Sequence, residues 1–522
     1  MNTDAKTATA DLRVQSAKAW LMHLRWPRTA GAQVALGLLA YAVVWLAHLS
    51  STALSPPTDN IEQLTWVHAL EWGYYKHPPL PTWLIWLPTQ VFGINGWTSY
   101  ALGATVTLAS MGLLWRLLAQ LRGPSHATLA LLAVLCITYY NGRLYYYNHN
   151  IVLMFFATAS AALCWQAHRS ARLRWWAALG VALGLGLLAK YQIVVAMVSV
   201  LAFWCSQRGW RDARQRQGLL LALLIVLLMF LPHLQWLRAH DFGPINYARE
   251  SSLGAHLNAN ARWAHSLQWL LDQLLNRALP AWLLLGIAAC AVGRRQALQP
   301  LAAAASTASL SASRSLLLCW GGIPLPFITL TGLLTGADLQ LQWGTSFMLF
   351  AVPAAMELIG PRGAWSQVPL WRSLRVFMVI QALLLIMSQL TSASGPEALR
   401  DRHWRSFDSK RFAMLVNGPA QLELAGAPLC VVSGPAIYAG ALALESKDSP
   451  KVLIDGRLDR SPWLSADQAG RCGQLVLRQG GQQVGDHAVG AAFPDLWWRT
   501  VPPALGTPPP ELNLQAVPTK LK

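Results

Sequence analysis

The sequence predicts an all-α polytopic membrane protein with a small α/β domain at its C-terminal end. Three observations carry that prediction. Of 522 residues, 54% are apolar and only 12% charged, against roughly 25% charged in an ordinary soluble domain. The apolar residues gather into recurrent runs separated by short, Arg-bearing loops, the pattern of a multi-span protein. The composition becomes that of a soluble domain only from Ser392 onward.

In chain order, residues 1–30 carry Lys6, Arg13, Lys18, Arg25 and Arg28 and read as a cytoplasmic segment. The first apolar run begins after this polar stretch and reads as a retained anchor rather than a cleaved signal. Within a membrane domain spanning 31–391, apolar runs occur at Gly31–Leu49, Trp97–Ala119, Ala127–Tyr140, Ile151–Gln166, Trp175–Leu188, Ile193–Cys205, Gly218–Leu237, Ala278–Val292, Leu316–Thr335, Trp343–Ile359 and Leu374–Leu390. Transfer-scale reasoning makes these about eleven transmembrane helices. Several fall short of the roughly 20 residues of a full span, so their ends are expected to reach into flanking polar residues.

With the N-terminus inside, the loops predicted to be cytoplasmic hold Arg116 and Arg122, then Arg169, Arg172 and Arg174, then Arg208, Arg211, Arg214 and Arg216, then Arg294 and Arg295, then Arg362 and Arg372. The outer loops, Ser50–Gly96, Asn141–Asn150, Arg238–Arg277 and Gly336–Gln342, are poorer in base per residue, as the positive-inside rule requires. An odd span count places the C-terminal domain outside the cytoplasm. The same asymmetry explains the net charge of +18, which therefore does not point to nucleic acid. The run Leu80–Phe92 is interrupted by Pro81 and Pro88; it reads as an interfacial or re-entrant helix of the first outer loop, with a short span as the alternative. Trp45, Trp97, Trp115, Trp175, Trp176, Trp320 and Trp343, near run ends, fit an interfacial belt. An Ala/Ser-rich stretch from Gln296 to Ser315 reads as a flexible linker.

The extracytoplasmic domain, 392–522, contains predicted strands at Pro428–Ser433, Val452–Ile454 and Gln474–Leu477, a helix at Ala436–Leu444, and a Pro-rich tail from Val501. Five cysteines, Cys136, Cys164, Cys205, Cys290 and Cys319, lie in apolar runs and read as small buried hydrophobes. Cys430 and Cys472 are expected to pair if this domain faces an oxidising compartment. No metal-type spacing is present.

Chemistry concentrates in the first outer loop. Asp59 and Glu62 share one face of a helical pattern that reaches about Tyr74. Asp at an N-cap with Glu three residues later also fits a capping box, with no further role required. Gly73-Tyr74-Tyr75 reads as a turn; Lys76 and His77 follow, and Pro78-Pro79 opens the next helix, placing cations beside free backbone donors, which suits an anion such as phosphate. Snorkelling of Lys76 to the headgroups is the plainer alternative.

The acidic residues followed by Gly73-Tyr74-Tyr75-Lys76-His77-Pro78-Pro79-Leu80 resemble the integral-membrane GT-C glycosyltransferases, a superfamily that includes the protein O-mannosyltransferases and the lipid A aminoarabinose transferases. The resemblance covers roughly residues 31–237 and fades beyond. It implies a GT-C-type fold, a catalytic Asp59, and a donor-phosphate contact at His77 with Lys76 beside it. Many members have Asp-Glu together; here Asn60 replaces that Glu and the second acid comes at Glu62. Relatives often place another acid near the second outer loop, where this chain has Asn148, His149 and Asn150.

Lys190, emerging after the Gly180–Gly186 run, is a further candidate phosphate contact, since a lysine between two apolar segments is costly and often functional. Arg249, in the long loop Arg238–Arg277, offers a planar fork suited to phosphate. Tyr74, Tyr75, Arg143, Asn148 and His149 are candidate substrate contacts. The expected reaction moves a sugar from a polyprenyl-phosphate donor to a lipid, glycan or protein acceptor at the outer face of a bacterial inner membrane. Asp59 is the expected base of an inverting displacement, cations hold the leaving phosphate, and no cofactor or metal is required. A secondary transporter or flippase is the competing reading, disfavoured because the ionisable residues lie in outer loops and no internal repeat is visible.

Overall fold

The computed structural model describes residues 29–293, 307–359, 364–400 and 404–503. The predicted cytoplasmic segment up to residue 28, the first part of the Gln296–Ser315 linker, Arg294, Arg295, Arg362 and the tail beyond residue 503 lie outside the described residues.

Every predicted apolar run contains a helix, in the order α1 (Ala30–Thr52), α2 (Thr58–Trp66), α3 (Leu80–Phe92), α4 (Gly96–Arg122), α5 (Pro124–Val134), α6 (His149–Ser170), α7 (Leu173–Ala189), α8 (Val194–Ser206), α9 (Ala213–Ala239), α10 (Gly243–Ala248), α11 (Ala259–Leu271), α12 (Leu279–Gly293), α13 (Thr307–Gly322), α14 (Pro324–Thr335), α15 (Ala351–Ile359) and α16 (Leu370–Leu390). Among the described residues six helices are long and apolar enough to cross a membrane, or seven if the pair Ala259–Arg277 and Leu279–Cys290, bent by 56°, is one span. α5, α7 and α8 are shorter. The predicted linker is helical from Thr307, because Leu316, Leu317 and Trp320 on that helix pack into the core.

The lipid-facing sides are plain. α9 exposes Leu220, Leu223, Leu224, Leu227, Leu228 and Leu231, and α16 exposes Met378, Val379, Leu383, Ile386 and Met387. Exposed apolar surface on this scale fits lipid, not water. The inward sides approach closely through small residues. A Cβ on Gly180 of α7 would come within 2.7 Å of the Ala222 carbonyl oxygen of α9, so the glycines of the α7 run allow the backbone contact that membrane helices use for association. The expected tryptophan belt is only partly present. Trp97 is exposed, whereas Trp45, Trp176 and Trp320 are fully buried; the Trp45 indole donates to Gln381 Oε1 at 3.0 Å inside the bundle.

α3 has the predicted boundaries and is amphipathic. Leu80, Thr82 and Ile85 are buried, while Leu87, Val91 and Phe92 are exposed, as an interfacial helix requires.

The C-terminal domain contains α17 (Ser409–Glu423), α18 (Ala436–Glu445) and α19 (Ala466–Arg471), with β1 (Leu429–Gly434), β2 (Lys451–Ile454), β3 (Gly473–Gln479), β4 (His487–Ala488) and β5 (Leu496–Val501). The sheet order is β2-β1-β3-β5-β4. β1 is parallel to β2 and β3; β5 is antiparallel to β3 and β4. Val501, expected to open a Pro-rich tail, instead closes β5, paired with Gln474. A Cys430–Cys472 disulfide, Cα–Cα 5.6 Å, ties β1 to the start of β3.

This domain packs on the first outer loop. Trp66 of α2 and Tyr74 belong to the same buried cluster as Phe412, Val432, Leu442 and Leu475. The contact between α18 and α2 passes through Gly440, where a Cβ would meet Ile61 Cγ2 at 2.5 Å.

Candidate functional site

A cavity of about 340 Å3 opens where α2, the Tyr74–His77 turn, the start of α6 and the end of α7 meet; its lining includes Asp59, Glu62, Lys76, His77, Asn148, His149 and Lys190. Residues separated by more than a hundred positions thus converge on one polar space.

α2 begins at Thr58 because Pro56 and Pro57 end the preceding segment. Its N-cap is Pro57, with no side-chain cap, so the capping-box reading of Asp59 and Glu62 does not hold. Both carboxylates point elsewhere. Asp59 Oδ2 accepts from Asn148 Nδ2 at 2.8 Å, and Glu62 is ion-paired with Lys76. Asn60, between them, faces the opposite way. Its amide donates to Ser99 Oγ and to the Tyr145 carbonyl, both at 2.9 Å, and accepts from the Tyr147 amide at 2.8 Å. Fully buried and fully bonded, Asn60 anchors α2 to the bundle and leaves the cavity to its neighbours.

α2 ends at Trp66, short of the predicted Tyr74. A tight turn follows, closed by Tyr74 N to His77 O at 3.0 Å and His77 N to Tyr74 O at 3.2 Å. It presents Lys76 and His77 to the cavity. Burial works against the Lys76 ammonium, but the Glu62 carboxylate more than offsets it and holds the group well above the ordinary lysine range. His77 goes the other way: burial, then the charges of His149, Lys190 and Lys76, push its imidazole well below the ordinary value. At neutral pH His77 is a neutral hydrogen-bonding ring, not the cation that the sequence suggests. It lies 3.8 Å, centroid to centroid, from the His149 ring.

The start of α6 supplies three consecutive contacts. Asn148 caps the helix and holds Asp59. His149 Nε2 lies 3.4 Å from Gln63 Nε2, and the Gln63 carbonyl accepts from Thr82 Oγ1 at 3.0 Å. Asn150 Oδ1 accepts from Lys190 Nζ at 2.6 Å. Lys190 follows the last turn of α7; burial pushes its ammonium down to about 8, with Asp59 opposing.

Other predicted contacts stand outside the cavity wall. Arg249 is exposed on the far side of its loop, while its neighbours Tyr247, Ala248, Ser251 and Ser252 line the space. Tyr74 is buried against Trp66 in a stacked pair, 4.8 Å apart, and its hydroxyl donates to the Ala69 carbonyl. Tyr75 lies under Arg460 of the C-terminal domain. Arg143 sits over the Tyr139 and Tyr146 rings. Lining groups that the sequence did not mark as contacts include Gln192, Gln340, Trp343 and Ile437, and Asn150, noted only as standing where relatives carry an acid, lines the space too. Trp343 sits one residue past a predicted outer loop, whereas Ile437 comes from α18 and only the packing of the C-terminal domain brings it here. Among the described residues no group of three or more His, Cys, Asp or Glu side chains is arranged to hold a metal ion.

Comparison with known proteins follows the same lines. The family model for dolichyl-phosphate-mannose-protein mannosyltransferase matches residues 76–236. The chain is similar to the lipid A galacturonosyltransferase RgtD of Rhizobium johnstonii, 22% identical over 250 residues, covering 45% of this chain and 49% of that protein. It is also similar to the undecaprenyl phosphate-alpha-4-amino-4-deoxy-L-arabinose arabinosyl transferase of Pseudomonas paraeruginosa, 29% identical over 213 residues, covering 37% of this chain and 38% of that protein. The match therefore spans about half or less of the length of each relative. Among solved structures, ArnT from Cupriavidus metallidurans bound to undecaprenyl phosphate superposes with a TM-score of 0.50 at 15% identity, over 78% of this chain and 74% of that one. Its apo state does so with a TM-score of 0.50 at 12% identity, over 90% and 98%. The chain thus has the ArnT-type fold: a helical membrane body with a small C-terminal sheet domain.

Proposed function

We propose that this protein is a membrane glycosyltransferase that moves a sugar from a polyprenyl-phosphate donor to a lipid acceptor. The observation that carries the reading is the cavity itself. It sets the Asp59 carboxylate, with one oxygen unbonded among the described residues, and the half-buried Lys190 ammonium in one space, at the end of an apolar helical body suited to a lipid carrier. The relatives support it, because they are a galacturonosyltransferase and an arabinosyl transferase, and one solved neighbour holds undecaprenyl phosphate. Lipid A, the acceptor in the name of the galacturonosyltransferase relative, is the acceptor class we take for this chain. The transporter alternative draws no support from any of them.

In this reading Asp59 takes the proton from the acceptor hydroxyl as that oxygen attacks the anomeric carbon from the face opposite the phosphate. The sugar–phosphate bond breaks, and polyprenyl phosphate leaves with the bonding pair. Lys190 is the first cation to meet the developing charge. Lys76 is the second, its own charge partly met by Glu62, and His77 donates a neutral hydrogen bond. Charge stabilisation of this kind in a site shielded from water needs no metal. The outer face of a bacterial inner membrane is the setting that the loop charges and the disulfide favour.

Asp59→Asn is the test. It preserves the size of the side chain and removes the base, so transfer is expected to fall by about a thousandfold. Mass spectrometry of envelope lipids from a deletion strain carrying the wild type or D59N reads the result. Equal sugar addition by the two would sink the assignment.

A further inference from the structure

We propose that Asn148 is the positioning residue for Asp59: helix capping locks its amide so that the N–H points at one carboxylate oxygen and leaves the other facing the cavity. This rests on the reading of Asp59 as the base.

The argument begins with amide orientation, which is often ambiguous and here is not. Asn148 is the N-cap of α6, with extended backbone, and its Oδ1 accepts from the Asn150 and Ile151 amides at 3.0 and 3.1 Å. Those two donors require an oxygen. The other end of the amide must then be the NH2 group, and it lies 2.8 Å from Asp59 Oδ2. Asn148 is 6% exposed, so water does not compete freely for either end. An N-cap residue is among the most rigid polar positions that a protein offers, and here its rigidity passes directly to the carboxylate. Asp59 Oδ1 has no hydrogen-bond partner among the described residues and remains available for an acceptor proton.

An aspartate at position 148 would cap α6 equally well, since Asn and Asp rank together as N-caps. It would differ only toward Asp59, where it would bring a second carboxylate to hydrogen-bonding distance. Two carboxylates that close disfavour each other's charge, so the pair would hold a proton more tightly than a lone carboxylate does. The amide at this position therefore gives Asp59 a donor in place of a like-charged neighbour. The groups facing Asp59 are Glu62 on its own helix, Lys76 and His77 on the turn, His149 on α6, Lys190 after α7 and Tyr247 of the loop above. Lys76 is paired with Glu62 and Lys190 Nζ donates to Asn150 Oδ1 at 2.6 Å, so neither lysine substitutes for the Asn148 N–H as the fixed donor to Asp59.

The test uses the full chain in nanodiscs with 13C-labelled aspartate. The infrared carboxylate signal lost in D59N reports Asp59, and its pH titration is compared in wild type, N148D and N148S. Serine keeps the cap but is too short to reach Asp59. N148D is expected to raise the Asp59 midpoint by about one pH unit or more, and N148S to raise it by less. Initial transfer rates from a wild-type membrane lipid extract are expected to fall about ten- to a hundredfold in N148S. An Asp59 midpoint unchanged in both variants, or a wild-type rate in N148S, overturns the proposal. Should N148D fail to fold, N148S decides alone on the same two readouts. Retention of transfer by D59N would instead sink the role of Asp59 as base, while the titration still reports whether Asn148 holds its carboxylate.

Discussion

Lys190 has the most consequential single-residue environment in the cavity. A lysine removed from water loses charge readily, and burial brings this one to about 8, with Asp59 opposing the fall. The proposed role needs the charged form. As pH rises through about 8 the ammonium is lost, so transfer should decline on that limb while donor binding weakens in parallel. Lys190→Arg, with a guanidinium that stays charged, should hold activity to higher pH, and Lys190→Ala should cost about a hundredfold at neutral pH. A pH–rate profile of the three proteins checks this, and an alkaline limb unmoved by K190R would remove Lys190 from the phosphate site. Lys190 was legible in the sequence because a lysine between apolar runs is conspicuous. The neutrality of His77 was not, since it depends on burial and on two groups from distant positions, His149 and Lys190, besides the adjacent Lys76. Arg249 shows the converse: its residue type suits phosphate, but the helical phase of its loop turns it outward while Tyr247 and Ser251 turn inward.

Among the elements, α2 and α18 are the pair on which the site geometry depends. α2 carries Asp59 and Glu62 on one side and Ile61 and Thr65 on the other, and α18 lies against that second side. Gly440 makes the contact possible: a Cβ there would fall 2.5 Å from Ile61 Cγ2 and 3.0 Å from Thr65 Oγ1. Gly440→Val should push the two helices apart, destabilise the chain by about 1–3 kcal/mol, and move Ile437 off the cavity wall. Thermal melting in detergent reads the first effect, and a transfer rate that falls more than the melting shift explains reads the second. Gly440→Ala should show the same changes in smaller measure. The apolar helices were legible because their patterning is set by lipid contact and holds over many residues. The end of α2 was not, because Trp66 stops the helix by packing into the cluster of the C-terminal domain. β4 and β5 escaped notice for a related reason: β4 has two residues, and β5 carries Trp497, Trp498 and Arg499 in place of a clean alternation.

At the scale of the whole molecule, membrane sidedness ties together three independent features. In the proposed orientation the Arg-rich loops lie on one side under the positive-inside rule, and the loops that build the cavity lie on the other. The C-terminal domain shares a buried cluster with Trp66 and Tyr74 of the first outer loop, so it must lie on the same side as the cavity, whichever side that is. Its Cys430–Cys472 disulfide supports the outer side proposed above, because such a bond persists in an oxidising compartment and is reduced in the cytoplasm. The remaining cysteines are free: Cys136, in the turn after α5, and Cys164 are buried as expected, whereas Cys205 and Cys290 are exposed on their helices and Cys319 is half-buried. Replacing these five by serine or alanine leaves a chain in which thiol chemistry reports only the tail. Intact cells treated with a membrane-impermeant maleimide should then show no labelling until a reductant is added, and afterwards two labels per chain. Labelling without reductant would mean that the disulfide does not form in the cell. Labelling only after the cells are opened would place the C-terminal domain, and with it the cavity, in the cytoplasm, and a donor presented at the outer leaflet would have no route to Asp59.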